Sequence, residues 1–286
     1  MTNDHHGSAR DVGAAVRAFY DRLPFNFHGT VGRSVAAVRD HSIAASYPDL
    51  HALLSSGRVR QVLEIGCGTG WLCNSLALNH AVEVAAVDFC ANALARARDV
   101  ARALGTASRV RFIESDLFDY HHDGHADLVI SLGVLHHTGC ARSAFRHIQA
   151  FAGTGGSVYV GLYHAPGRQV FLETFRSIAV TRGEEAAFRR FRAIEPARSD
   201  DEMEARSWFR DQVMHPHETQ HTLREISEWL TGAGLTLQST SINAFAPIGD
   251  VALLFAQEPG FRQRSRRALA EGRFFPGFFT FLASRP

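Results

Sequence analysis

Three glycines at alternate positions, Gly66, Gly68 and Gly70, follow the apolar run Val62-Leu63-Glu64-Ile65, and the acid Glu64 stands two residues before the first of them. Glycine allows a sharp turn with φ > 0 and lets a ligand approach the main chain with no Cβ in the way. Dinucleotide sites also use a glycine-rich turn after a strand, but their spacing is G-x-G-x-x-G, whereas Gly66-Cys67-Gly68-Thr69-Gly70 reads G-x-G-x-G. A carboxylate aimed into such a turn repels a pyrophosphate and suits a ligand carrying an ammonium and a sulfonium. Further on, Val87-Asp88-Phe89 ends a second apolar run, at the roughly 20-residue separation where a bidentate carboxylate holds a ribose diol. A helix N-cap is the other reading of Asp88. Asp116, within Glu114-Ser115-Asp116-Leu117, can accept from an adenine amine or serve as a turn or capping residue. A fourth run, Asp127 to Ser131, leads into Leu132-Gly133-Val134-Leu135-His136-His137.

Histidines supply the base candidates, because their pKa lies near neutrality. His136 and His137 follow the fourth run, and His164 ends a fifth, so all three are expected on the ligand side, with a structural, backbone-bonded role as the alternative. The N-terminal stretch from Phe19 to His28 is dense in aromatics and is expected to fold over the site, with Tyr20 near its cationic or carboxylate end and Phe19 and Leu23 as core. His217-Glu218-Thr219-Gln220-His221 spells H-E-x-x-H, which in zinc proteases lies inside a helix. Here Pro216 and the capping pattern Thr222-Leu223-Arg224-Glu225 start the helix only after His221, so no metal site is expected.

These residues need a scaffold that brings strand ends together. Segments 59–65, 82–87, 109–114, 126–132 and 156–163 read as strands separated by helices, which implies β-α-β units around a parallel sheet. Before them come a helix over 10–23 and a helical stretch over 34–56, bent or split at Pro48. Residues 166–221 read as a charged, mostly helical insertion. A helix over 222–232, a strand over 235–243 and a last strand near 277–283, rather than 251–256, complete the pattern. The fold expected is therefore α/β: a doubly wound, mostly parallel Rossmann-like sheet with an N-terminal helical cap (1–57), a ligand-binding core (58–165), a helical lid (166–221) and a C-terminal part of the core sheet (222–286).

Taken together, the four strand-end segments strongly resemble the class I S-adenosylmethionine-dependent methyltransferases, over about 58–164. The resemblance implies S-adenosyl-L-methionine as cofactor and S-adenosyl-L-homocysteine as product. It implies that Glu64, Gly66, Cys67, Gly68 and Gly70 hold the methionine part. It also implies that Asp88 binds the ribose, Phe89 lies beside the adenine, Asp116 and Leu117 meet the adenine edge, and Leu132 and Gly133 stand behind the sulfonium. The string from Gly133 to His137 is similar to small-molecule and quinone methyltransferases. The expected activity is methyl transfer to O, N or C of a small molecule. A tRNA or protein methyltransferase, an enzyme that cleaves or cyclises the cofactor, and a silent binding fold are the alternatives.

Composition narrows the partners. A formal net charge of +1 gives no global attraction to nucleic acid or anionic membranes, and no apolar run approaches the roughly 20 residues of a membrane span. Over 181–211 seven arginines face eight acids, a balance expected of a solvated helix surface. The arginines of 262–273 are expected on an exposed helix. The polar start Met1-Thr2-Asn3-Asp4-His5-His6 and four cysteines without a C-x-x-C pair fit a cytoplasmic protein with reduced thiols.

Overall fold

The computed structural model describes residues 9–25, 29–194 and 201–286. Expectations on Met1–His6, on Asn26, Phe27 and His28, and on the charges of Glu195, Arg198 and Asp200 lie outside the described residues.

Strands β1 (Gln61–Ile65), β2 (Glu83–Asp88), β3 (Val110–Glu114), β4 (Ala126–Leu132), β5 (Ala152–Tyr163), β6 (Thr236–Thr240) and β7 (Phe278–Ser284) form one sheet in the order β3-β2-β1-β4-β5-β7-β6. The first five run parallel, and β7 is antiparallel to both β5 and β6. This is the α/β, mostly parallel sheet expected. The order reverses between β1 and β4, which opens a crevice beyond their carboxyl ends. Residues 251–257 are a helix, and the last strand lies at the C-terminal position expected for it.

The strands read as near-continuous apolar runs because both faces are covered. On one face Val62, Leu128 and Ile130 pack with Leu50 and Leu54 of α4 (Pro48–Ser55) and Leu72 and Leu76 of α5 (Trp71–Asn79). On the other, Leu63, Ile65 and Val129 pack with Phe145 and Ile148 of α7 (Ala141–Gln149) and with Ile226 and Trp229 of α11 (Leu223–Gly232). Each large side chain buried this way contributes on the order of 2 kcal/mol. α6 (Ala91–Leu104) completes the β2–β3 crossover.

Outside the sheet layers, α8 (Ala165–Arg182), α9 (Glu184–Ile194) and α10 (Glu202–Val213) share a separate phenylalanine core of Phe171, Phe175, Phe188, Phe191 and Phe209. The N-terminal helices are α1 (Ala9–Arg22), α2 (Val31–Asp40) and the single turn α3 (Ile43–Ser46), so the stretch before Gly57 breaks at both Asp40 and Tyr47. α12 (Val251–Gln257) and α13 (Gly260–Ala270) bridge β6 to β7. Residues 215–221 lie outside any helix, and Thr222 accepts from the Glu225 N–H at 3.2 Å to start α11. The Glu225 carboxylate does not close a reciprocal capping box; it pairs with His221 Nδ1 at 3.0 Å instead. Among the described residues no helix is long and apolar enough to cross a membrane, and no group of histidines, cysteines and acids could hold a metal.

Candidate active site

A cavity of about 880 Å³ occupies the crevice at the strand-order reversal. Its sheet-side wall comes from the ends of β1 (Ile65, Gly66, Gly68), β2 (Asp88, Phe89), the loop after β3 (Asp116, Leu117) and the end of β4 (Leu132, Gly133). Tyr20 of α1 and His137 also line it.

The three glycines of the turn do different work. Gly66, at φ +77°, sits so close to Val134 that a Cβ would fall 2.2 Å from a methyl carbon. Gly70, at φ +80°, stands at the start of α5, where a Cβ would press on Ala97 of α6 at 2.6 Å. Gly68, at φ +52°, has open space where a Cβ would stand, with nothing within 4 Å, and it lies on the cavity wall, so its bare backbone is the part a ligand can approach. The turn itself is held by Val87, whose carbonyl accepts from the N–H groups of Gly66 (2.8 Å) and Cys67 (3.1 Å).

Asp88 closes the same turn from the neighbouring strand. One carboxylate oxygen accepts from the Gly68 N–H and the other from the Cys90 N–H, each at 2.8 Å. Burial raises its pKa from the ordinary aspartate value, against the lowering effect of these backbone donors. Each oxygen keeps a lone pair for a ligand hydroxyl. Phe89 lies under the Arg17 guanidinium at 5.0 Å, and Asp116 accepts from the Phe118 N–H in a tight turn that leaves its second oxygen open.

Glu64 and Cys67 are buried and do not line the cavity. Glu64 lies beside Cys73, its Oε2 has no hydrogen-bond partner, and burial pushes its pKa up to about 8. A buried acid two residues before the glycine turn thus keeps one oxygen that calls for a donor.

The three candidate histidines separate. His137 borders the cavity; its Nδ1 lies 2.8 Å from the His217 carbonyl, which only accepts, so Nδ1 carries the proton and Nε2 is the free acceptor. Burial lowers its pKa to about 3, which keeps the ring neutral. His136 is fully buried against Tyr163, with ring centroids 4.1 Å apart, and does not reach the cavity. His164 is also buried away from it, because its Nε2 pairs with Glu258 at 3.0 Å between β5 and the end of α12.

The opposite wall was not visible in the sequence. Asp211 and Gln212 of α10 line the cavity together with Trp208. Tyr20 donates to Asp211 Oδ1 at 2.7 Å, and Gln212 Nε2 donates to Asp211 Oδ2 at 3.0 Å and to Tyr163 at 2.9 Å. Tyr20 is thus tied to a carboxylate across the fold, and burial first, then Asp211, raises its pKa. Beneath this layer Arg168 is wholly buried, bidentate to Glu218 at 2.7 and 3.0 Å, and stacked on Tyr163 at 3.7 Å. Two acids from the stretch expected as a solvated surface, Glu204 and Asp211, are therefore buried.

Residues 62–156 match the family described as a methyltransferase domain. Over that segment the chain is similar to methyltransferase domains. An uncharacterized curated protein from Synechococcus sp. is 28% identical over 250 residues, covering 79% of this chain and 59% of that protein. The chain therefore spans less than two thirds of that relative's length. The magnesium protoporphyrin IX methyltransferase of Synechocystis PCC 6803, solved with bound SAM, superposes with a TM-score of 0.53 at 15% identity, covering 98% of this chain and 100% of that one. The [4+2]-cyclase SpnF superposes at 0.52 with 17% identity, covering 95% of each chain. At these identities the likeness of the chain to solved structures is one of fold.

Proposed function

We propose that this chain binds S-adenosylmethionine along the sheet-side wall and transfers its methyl group to O, N or C of a small molecule held against the opposite wall. One observation carries the reading: one continuous cavity joins the four strand ends that fit the cofactor to an aromatic second half built by α1, α10 and the segment before β7. Gly68 offers bare backbone, Asp88 offers two free lone pairs for the ribose, and Asp116 with Leu117 offers an adenine edge. The unpartnered Glu64 oxygen, buried just behind that wall, is the acceptor assigned to the amino group, and Leu132 and Gly133 stand at the end of β4. Methyl transfer is an in-line displacement, so the chain's task is to orient the acceptor, exclude water and receive a proton where the acceptor must lose one. Of the three histidines, His137 is the one placed to touch an acceptor, as a neutral hydrogen-bond acceptor. A pKa near 3 makes it a weak base at neutral pH.

The test is calorimetric titration with S-adenosylmethionine and S-adenosylhomocysteine, followed by chromatography of the mixture. Micromolar binding with the cofactor intact supports transfer. Methylthioadenosine formed without an added acceptor places the chemistry on the cofactor and overturns transfer. No binding overturns the reading at its base.

A further inference from the structure

The acceptor half of the cavity has a definite chemical character. Trp208 and Phe274, with ring centroids 6.2 Å apart, line the cavity on this side, and Phe25 abuts Trp208 edge-on at 4.9 Å. Flat rings lining a site reward a flat ring packed on them.

Charge is equally one-sided. Among the described residues, the charged side chains lining the cavity are four carboxylates, Asp88, Asp116, Asp119 and Asp211, and the guanidinium of Arg17, which donates to the Phe89 carbonyl on the sheet-side wall. Asp211 is the carboxylate on the acceptor side. The nearby Arg168 does not offset it for an acceptor, because that guanidinium is spent on Glu218, on Gln212 and on the Pro276 carbonyl. Each Asp211 oxygen accepts one protein hydrogen bond, from Tyr20 or Gln212, which leaves a lone pair on each for an incoming donor.

The geometry points to an uncharged, flat aromatic acceptor whose hydroxyl or N–H donates to Asp211, in a site that rejects anionic acceptors. This rests on the methyltransferase reading above and names the acceptor class for it. Asp211 is then the group that sets specificity: it rewards a donor and repels a carboxylate. Burial pushes its pKa up to about 6, which leaves it ionised at neutral pH and able to share an acceptor's proton. A buried polar site built to take a donor rejects analogues that lack one by leaving its own acceptor unpaired.

The experiment measures binding rather than turnover. S-Adenosylhomocysteine is titrated first; the complex is then titrated with 2-naphthol, 2-naphthoate and cyclohexanol, in the wild type and in Asp211→Asn. The wild-type complex should take 2-naphthol at least tenfold more tightly than either other probe. Asp211→Asn should weaken 2-naphthol about tenfold, bring 2-naphthoate to parity with it, and leave S-adenosylhomocysteine affinity within about threefold. Gln212→Ala, which leaves Asp211 charged, should keep the preference for naphthol over naphthoate. Equal naphthol and naphthoate binding by the wild type, no naphthol binding, or indifference to Asp211→Asn overturns the acceptor class while the cofactor reading stands. Failure to bind S-adenosylhomocysteine overturns both.

Discussion

At the scale of single residues, the cofactor wall makes two demands that can be measured. Glu64 is buried with an unpartnered oxygen and a pKa near 8, so in the free protein at pH 7 it carries a proton. An ammonium placed against it favours the carboxylate and expels that proton. Titration with S-adenosylmethionine at pH 7 in buffers of different ionisation enthalpy should therefore show release of about one proton, lost in Glu64→Gln along with roughly tenfold or more in affinity. No release in the wild type would place the ammonium elsewhere. Asp88→Asn replaces one accepting oxygen by an amide that cannot accept from Gly68 or Cys90. We expect a fall of about 10- to 100-fold in cofactor affinity, the equivalent of 1–3 kcal/mol for disturbed hydrogen bonds, read by the same calorimetry. Asp88 was legible as a wall residue because it sits at the end of its own strand, where residue type and register are read together. Cys67 and Glu64 belong to the glycine motif, yet both are buried and neither lines the cavity. His136 and His164 failed to reach the cavity for a similar reason: a position after a strand states which end of the sheet a residue occupies, not which side of the backbone its ring takes.

At the scale of elements, the turn and the buried ion pair each separate packing from binding. Gly70→Ala drives a methyl into Ala97 at φ +80° and should cost about 2–4 kcal/mol of stability, whereas Gly68→Ala meets open space and should cost about 1 kcal/mol. Thermal melts should rank them in that order, and calorimetry should rank cofactor affinity the other way for Gly68. Arg168 joins α8 to α10, to the 215–221 loop and to the residue before Gly277, so Arg168→Ala leaves Glu218 buried without a counter-charge, with only Gln220 donating to it. A loss of about 3–5 kcal/mol in chemical denaturation is expected, and a loss under 1 kcal/mol would mean that Glu218 finds water. Strand positions were readable from continuous apolar runs, and the helices of the 166–221 insertion from their periodicity. What the periodicity could not show was that the buried face of α10 borders a cavity. Asp211 was one of eight acids in a stretch whose charges balance, and only its packing against Tyr20 of α1, some 190 residues away in the chain, distinguishes it.

For the molecule as a whole, buried titratable groups of opposite tendency meet at this one site, and their balance sets how stability varies with pH. His136, His137 and His215 are held neutral by burial, the latter two with pKa values near 3 and 2, so the unfolded chain, where histidine titrates near 6.5, binds up to three more protons than the fold as pH falls. That loss of stability begins below about pH 6.5. Glu64 and Asp211, with pKa values near 8 and 6, act in the other sense, as does Asp88: the fold holds protons that the unfolded carboxylates release above about pH 4. Between pH 8 and 6.5 the raised pKa of Glu64 makes stability rise as pH falls. Between about 6.5 and 4.5 the carboxyl and imidazole effects oppose each other, which flattens the profile. Below about pH 4 the unfolded carboxylates are protonated as well, and each histidine still neutral in the fold adds a slope of about 1.4 kcal/mol per pH unit. Urea denaturation across pH 3–9 should show this asymmetric profile. His215→Asn should lower the acid slope by about one proton while leaving the alkaline limb in place. An acid limb unchanged by that substitution would mean that His215 already takes up its proton in the fold, and that the stack of His137 on His215 at 3.6 Å opens to admit a charge.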